Sequence, residues 1–243
     1  MHSFRTLRRW AGAAAVIGTL ALVAPAGAVT DCSIPGKCLD ASRLPKTKSV
    51  DWGDLIRRAQ RFYGVSTPIF IVSSSDVEAR LPYFLPEQRP LIYASQIHIP
   101  EIYHAITEVK HRQTKHYIWQ YIVGHEMAHA NQHRLKLIDA MVAPSQSVVL
   151  AELHADFMAG FFLAREYGLS VAAIDQLQQE LTDLPAGAPG SPSFHGSPRQ
   201  RFFMVTQGAL LALKRPTPSL GQASSEGIRR AFDLMPQIGA ASN

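Results

Sequence analysis

Apolar residues recur at helical spacing from Trp52 to Tyr63, where Leu55, Ile56, Ala59 and Phe62 share one face, so a helix is predicted there. The next run, Pro68-Ile69-Phe70-Ile71-Val72, is β-branched and aromatic and stops at three serines, which marks a strand. A second strand is expected over Leu91 to Ile99, bounded by Pro90 and Pro100. From residue 101 the pattern turns helical. Long helices are predicted from Lys115 to Leu135 and from Gln146 to Tyr167, the second stopping at Gly168, with a shorter one from Ser170 to Leu181. Residues 185–198 hold four Pro and three Gly and read as a loop. Ser197-Pro198-Arg199-Gln200 then has the order of a helix start, with Ser as cap, Pro first and Gln three residues after the cap. That helix should reach Lys214, and a last amphipathic one is expected from Glu226 to Leu234. Residues 29–50 show no periodicity, and the chain has no internal repeat. The pattern predicts one α+β domain over 29–243, mainly helical with a small β-sheet beside the long helix at 115–135.

Composition agrees with a packed domain. Of 243 residues 47% are hydrophobic and 18% charged, too apolar for a disordered chain, and two Cys are too few for a disulfide scaffold. A formal charge of +5 suggests a polyanion partner until its placement is considered. Arg5, Arg8 and Arg9 precede any acidic residue, and setting them aside leaves 21 basic against 19 acidic side chains, a net of +2. No nucleic-acid partner is expected from so even a balance.

Residues 1–28 have the parts of a secretory signal peptide: the basic start, an apolar stretch from Trp10 to Val23, then Pro25 and the small residues Ala26-Gly27-Ala28. The apolar stretch falls short of the roughly 20 residues a membrane span needs. Export with cleavage is therefore expected, leaving no stable membrane span and a periplasmic or secreted location. In that oxidising setting Cys32 and Cys38, which flank a Pro35-Gly36 turn, are expected to form a small disulfide.

The chemistry is concentrated in two helices. Gly124-His125-Glu126-Met127-Ala128-His129 is an HExxH segment, and the spacing of four sets both imidazoles on one helix face, where they can meet a single tetrahedral ion. Glu126 is turned about 100° from His125, off the metal but near a coordinated water, where it can take a proton as zinc lowers that water's pKa. The following helix carries Glu152 and Asp156 four apart within an otherwise apolar surface of Val148, Val149, Leu153, Phe157, Phe161 and Phe162. Buried carboxylates are costly unless they bind metal or are hydrogen-bonded. Glu152 is thus expected as the third ligand, and Asp156 as acceptor from the free N–H of a ligating His. His133 shares the face of His125 and His129, but three His along a helix span about 12 Å, too far for one ion. His154 is an alternative ligand to Glu152, while His98, His104, His111 and His116 read as surface residues.

HExxH followed by Glu152-Leu153-His154-Ala155-Asp156 resembles the gluzincin metallopeptidases, in particular bacterial neutral zinc metallopeptidases. The likeness covers residues 115–205 and extends to His195-Gly196-Ser197-Pro198-Arg199-Gln200-Arg201, which is similar to a His-x-x-x-x-x-Arg segment of that family. It implies a zincin-like domain, Zn2+ held by His125, His129 and Glu152, and hydrolysis of a peptide or protein substrate with Glu126 as general base. His195 could then assist the oxyanion or be an exposed loop His, and Arg201 could pair with Asp156, steady His195 or lie on a solvated helix face. In gluzincins a sheet edge beside the zinc commonly binds the substrate, and Leu91 to Ile99 either looks like that element or is an ordinary core strand. Two other functions share these ligands: a zinc-stabilised binding or chaperone-like protein, and a zinc amidase acting on a non-protein amide.

Overall fold

The computed structural model describes residues 38–46, 50–72, 83–85, 96–101, 105, 115–145, 148–170, 172–174, 176–177 and 194–235. Strand β1 (Cys38–Asp40) runs into a short 3-10 turn (Ala41–Arg43), and helix α1 spans Trp52–Tyr63. Strands β2 (Ile69–Val72), β3 (Tyr83–Leu85) and β4 (Gln96–Pro100) complete the sheet. Helices α2 (Lys115–Arg134), α3 (Ile138–Ser145), α4 (Val149–Tyr167), α5 (Pro198–Ala212) and α6 (Leu220–Asp233) follow. The protein is α+β, mostly helical with one small sheet.

α1 has the predicted bounds because its ends are chemically marked. The Asp51 carboxylate accepts from the Asp54 N–H at 3.0 Å, and Gly64 closes the helix with φ 63°. Its apolar stripe packs on α2, where the Trp52 and Trp119 rings meet at a tilt of 57° with centroids 5.2 Å apart, and on α4, where the Tyr63 hydroxyl donates to the Met158 carbonyl at 3.0 Å.

The sheet order is β1-β2-β4-β3, with β2 and β4 parallel (Phe70 opposite His98) and both outer strands antiparallel to their neighbours. β4 is therefore an inner strand, and among the described residues the edge nearest α2 belongs to β3. Of the two readings of Leu91 to Ile99, the described part, residues 96–99, is therefore an ordinary inner strand and not a substrate-binding edge, while residues 91–95 lie outside the described residues.

The core is organised around α4, whose residues Val149 to Ala164 are all buried. α5 packs along it most extensively, and α2, α3 and α6 cover the remaining sides. Contact with α5 is backbone to backbone: a Cβ at Gly160 would lie 2.0 Å from the Val205 carbonyl oxygen. α5 opens as predicted, with a complete capping box between Ser197 and Gln200 and Pro198 in the first turn. α6 begins at Leu220, six residues before the predicted start, under a second capping box between Ser219 and Gln222. The signal segment, Cys32 with its pairing to Cys38, and most of the 185–198 loop lie outside the described residues.

Candidate metal centre

The three expected ligands meet in the core between α2 and α4. His125 and His129 lie one turn apart on α2, their rings 4.7 Å apart and nearly perpendicular at 83°. Glu152 faces them from the first turn of α4. Close approach of the two helices depends on Gly124, where a Cβ would lie 2.7 Å from Phe162 Cδ1. A side chain there would push the HExxH face away from the carboxylate.

Nε2 of His125 and Nε2 of His129 are 3.1 Å apart, and they lie 3.2 and 3.3 Å from the two oxygens of Glu152. A tetrahedral ion with bonds of about 2.0–2.1 Å sets its ligand atoms about 3.3–3.4 Å apart, so the spacing fits such an ion. The outward nitrogens have acceptors. His125 Nδ1 lies 2.9 Å from Asp156 Oδ1, and His129 Nδ1 lies 2.9 Å from Gln132 Oε1. With both Nδ1 atoms donating, the two Nε2 lone pairs and a carboxylate converge on one point. Only protons or a cation can satisfy that arrangement, and the group His125, His129 and Glu152 could hold a metal ion.

The electrostatics follow from this crowding. Burial by itself lowers the His125 pKa, but the hydrogen bond and charge of Asp156, joined by Glu152, outweigh it and push it up to about 10. His129 is raised for the same kind of reason, with Glu152 overcoming desolvation. Glu152 is held well below the usual carboxylate range: burial opposes ionisation, but His129, His195 and His125 surround the charge.

Glu126 is buried one residue along from the first ligand. Desolvation raises its pKa, partly offset by the neighbouring histidines. Its Oε2 has no hydrogen-bond partner among the described residues. An unpaired carboxylate oxygen in the core is costly, so its place beside the candidate ligands calls for a partner that the described residues do not provide.

A clamp holds His125 from behind. Arg201 Nε donates to Asp156 Oδ2 at 3.0 Å, its terminal nitrogen donates to the Tyr121 hydroxyl at 2.8 Å, and Tyr121 in turn donates to Asp156 Oδ1. Asp156 is fully buried and Arg201 nearly so, which places Arg201 on Asp156, one of the two partners expected from sequence. His195 is brought to the centre as well, but onto a ligand: its Nδ1 lies 2.8 Å from Glu152 Oε2. His154 is turned away from the centre, toward Gln132 and Ser224.

Sequence reasoning passed over Tyr121, Gln132 and Ser224 as members of this network. A polar residue one turn beyond His129 on a buried helix was the available signal for Gln132, and nothing in the sequence pointed to Ser224. No protein-family model matches the chain, and no curated protein or solved structure is found to be similar to it.

Proposed function

We propose that the protein is an exported zinc-dependent metallopeptidase of the gluzincin kind, with a zincin-like domain. The observation that carries this is the convergence of His125, His129 and Glu152 at tetrahedral spacing, with a buried, unpartnered carboxylate oxygen of Glu126 next to it. Zinc is the ion that suits two imidazoles and one carboxylate with a position left open, and when bound it supplies Lewis acidity that polarises a carbonyl and acidifies a water. Glu126 Oε2 accepts the proton of the attacking water and later returns it to the leaving amine. Its raised pKa, caused by burial, suits a group that must hold a proton between the two steps. His195 steadies Glu152 through Nδ1 and is partly exposed, which leaves its ring available to the substrate oxygen. The edge strand β3 offers an extended peptide backbone hydrogen bonds with little side-chain selectivity. Export rests on residues 1–28 of the sequence.

The test is zinc content by elemental analysis together with turnover of a mixed peptide panel. The wild type should hold one zinc per chain, Glu152→Ala should lose it, and Glu126→Gln should keep it while turnover drops by about 100-fold or more. Full zinc retention by Glu152→Ala overturns the ligand set. Zinc without peptide turnover, or with turnover only of non-protein amides, replaces the peptidase by one of the alternatives.

A further inference from the structure

The metal-site reading leaves one buried polar cluster unused, and it is continuous with the site. Gln132, at the end of α2, has its amide between three partners. Gln132 Nε2 lies 2.8 Å from the Ala151 carbonyl oxygen and 2.8 Å from His154 Nδ1, and Gln132 Oε1 lies 2.9 Å from His129 Nδ1. His154 Nε2 continues the chain to Ser224 Oγ at 3.1 Å, on α6. Gln132 and His154 are fully buried and Ser224 nearly so, so water does not substitute for these partners.

One backbone group sets every proton in this chain. The Ala151 carbonyl only accepts, so the amide atom facing it must be the NH2 group of Gln132. The other amide atom is then the oxygen, and His129 must donate to it from Nδ1. The second amide hydrogen points at His154 Nδ1, which must accept, so the His154 proton sits on Nε2 and is donated to Ser224. With Nδ1 carrying the hydrogen of this bond, Nε2 is the His129 nitrogen left facing Glu152 and free to coordinate. Ala151 adjoins Glu152, so the same turn of α4 supplies one ligand and orients another.

We propose that Gln132 and His154 are positioning residues for the metal: they hold His129 in its ligating tautomer and orientation, and Ser224 fixes His154 from the C-terminal helix. This rests on the metal-site reading. It also gives His154 a role other than that of ligand, and makes α6 part of the centre.

The experiment uses the full chain. Zinc affinity is measured by competition with a chromophoric chelator, and the visible spectrum is recorded after loading with Co2+, whose bands report ligand geometry rather than stability. Gln132→Met and His154→Leu should weaken zinc binding about 10- to 100-fold and shift the Co2+ bands. His154→Gln, whose amide can both accept from Gln132 and donate to Ser224, should restore affinity and spectrum toward the wild type. Should either truncating variant fail to fold, Ser224→Ala decides, with a weaker affinity and a shifted spectrum expected. Wild-type affinity and an unchanged spectrum in the variants that fold overturn the proposal while leaving the ligand set standing. No metal binding by the wild type itself removes the metal site, and this proposal with it.

Discussion

Replacing Arg201 by Met tests how the clamp behind His125 is held. Asp156 has no exposed surface, and the Arg201 side chain is 6% exposed. The substitution keeps most of the side-chain volume but deletes the bonds to Asp156 Oδ2 at 3.0 Å, to Asp156 Oδ1 at 3.3 Å and to Tyr121 at 2.8 Å. Asp156 then keeps only His125 and Tyr121, both on one oxygen. Breaking a buried ion pair from one side costs about 3–5 kcal/mol, because the surviving charge is left uncompensated. For a domain of this size that is a fall in Tm of about 6–20 °C. The double variant Asp156→Asn with Arg201→Met removes both charges, keeps an acceptor for His125, and should recover most of the loss. Urea unfolding followed by circular dichroism is the assay, with a chelator present so that metal linkage does not enter. A single-variant loss below about 1 kcal/mol, or a double variant no more stable than the single one, would refute the reasoning.

Two further outcomes follow from features away from the ligands. Gly160→Ala places a methyl group 2.0 Å from the Val205 carbonyl oxygen, which no rotamer relieves, so α5 must move off α4. A loss of about 3 kcal/mol or more is expected in thermal unfolding, and a stabilised variant would show that the two helices do not meet this closely. Glu226 is held down to about 2, first by its hydrogen bond to Arg229 and also by Arg230. Its folded pKa lies below the unfolded value, so its contribution is complete above pH 4.5 and is lost as the pH falls toward 2. The pair sits at the surface, so the contribution is at most about 1 kcal/mol. Glu226→Gln should accordingly flatten the fall of stability over that window, and an identical pH profile would count against the ion pair.

The long elements were legible because their signals are local. An amphipathic stripe placed α1, whose ends the structure shows capped by Asp51 and Gly64, and Gly168 ended α4 where expected, with φ 65°. The elements not foreseen are short or masked by their own composition. β1 and β3 are three residues each and exist through pairing with β2 and β4, which no window of sequence displays. α3 is weakly patterned and carries Pro144 in its last turn, whereas the start of α6 is marked by Ser219 and Gln222 in the same capping order as Ser197 and Gln200, a signal the apolar pattern alone does not use. In the site, His125 and His129 could be read from helical spacing, and Glu152 from the cost of burying it. Arg201 and His195 were expected near the centre, but their partners depend on how α5 lies across α4. Gln132 and Ser224 depend on three helices meeting, which residue types alone do not encode.

The distribution of the centre along the chain orders its assembly. All three candidate ligands fall between residues 125 and 152, on α2 and α4, which are separated in sequence only by the short α3 and pack directly against each other. Contacts of such short sequence separation form early. Asp156, Gln132 and His154 belong to the same two helices, whereas the groups that brace them come later in the chain: Arg201 on α5 and Ser224 on α6. A chain made from its N-terminus can therefore gather these residues before Arg201 and Ser224 are in place to brace them. For the metal centre proposed above, gathering of the ligands and bracing of the ligands would then be separate events, the second awaiting α5 and α6.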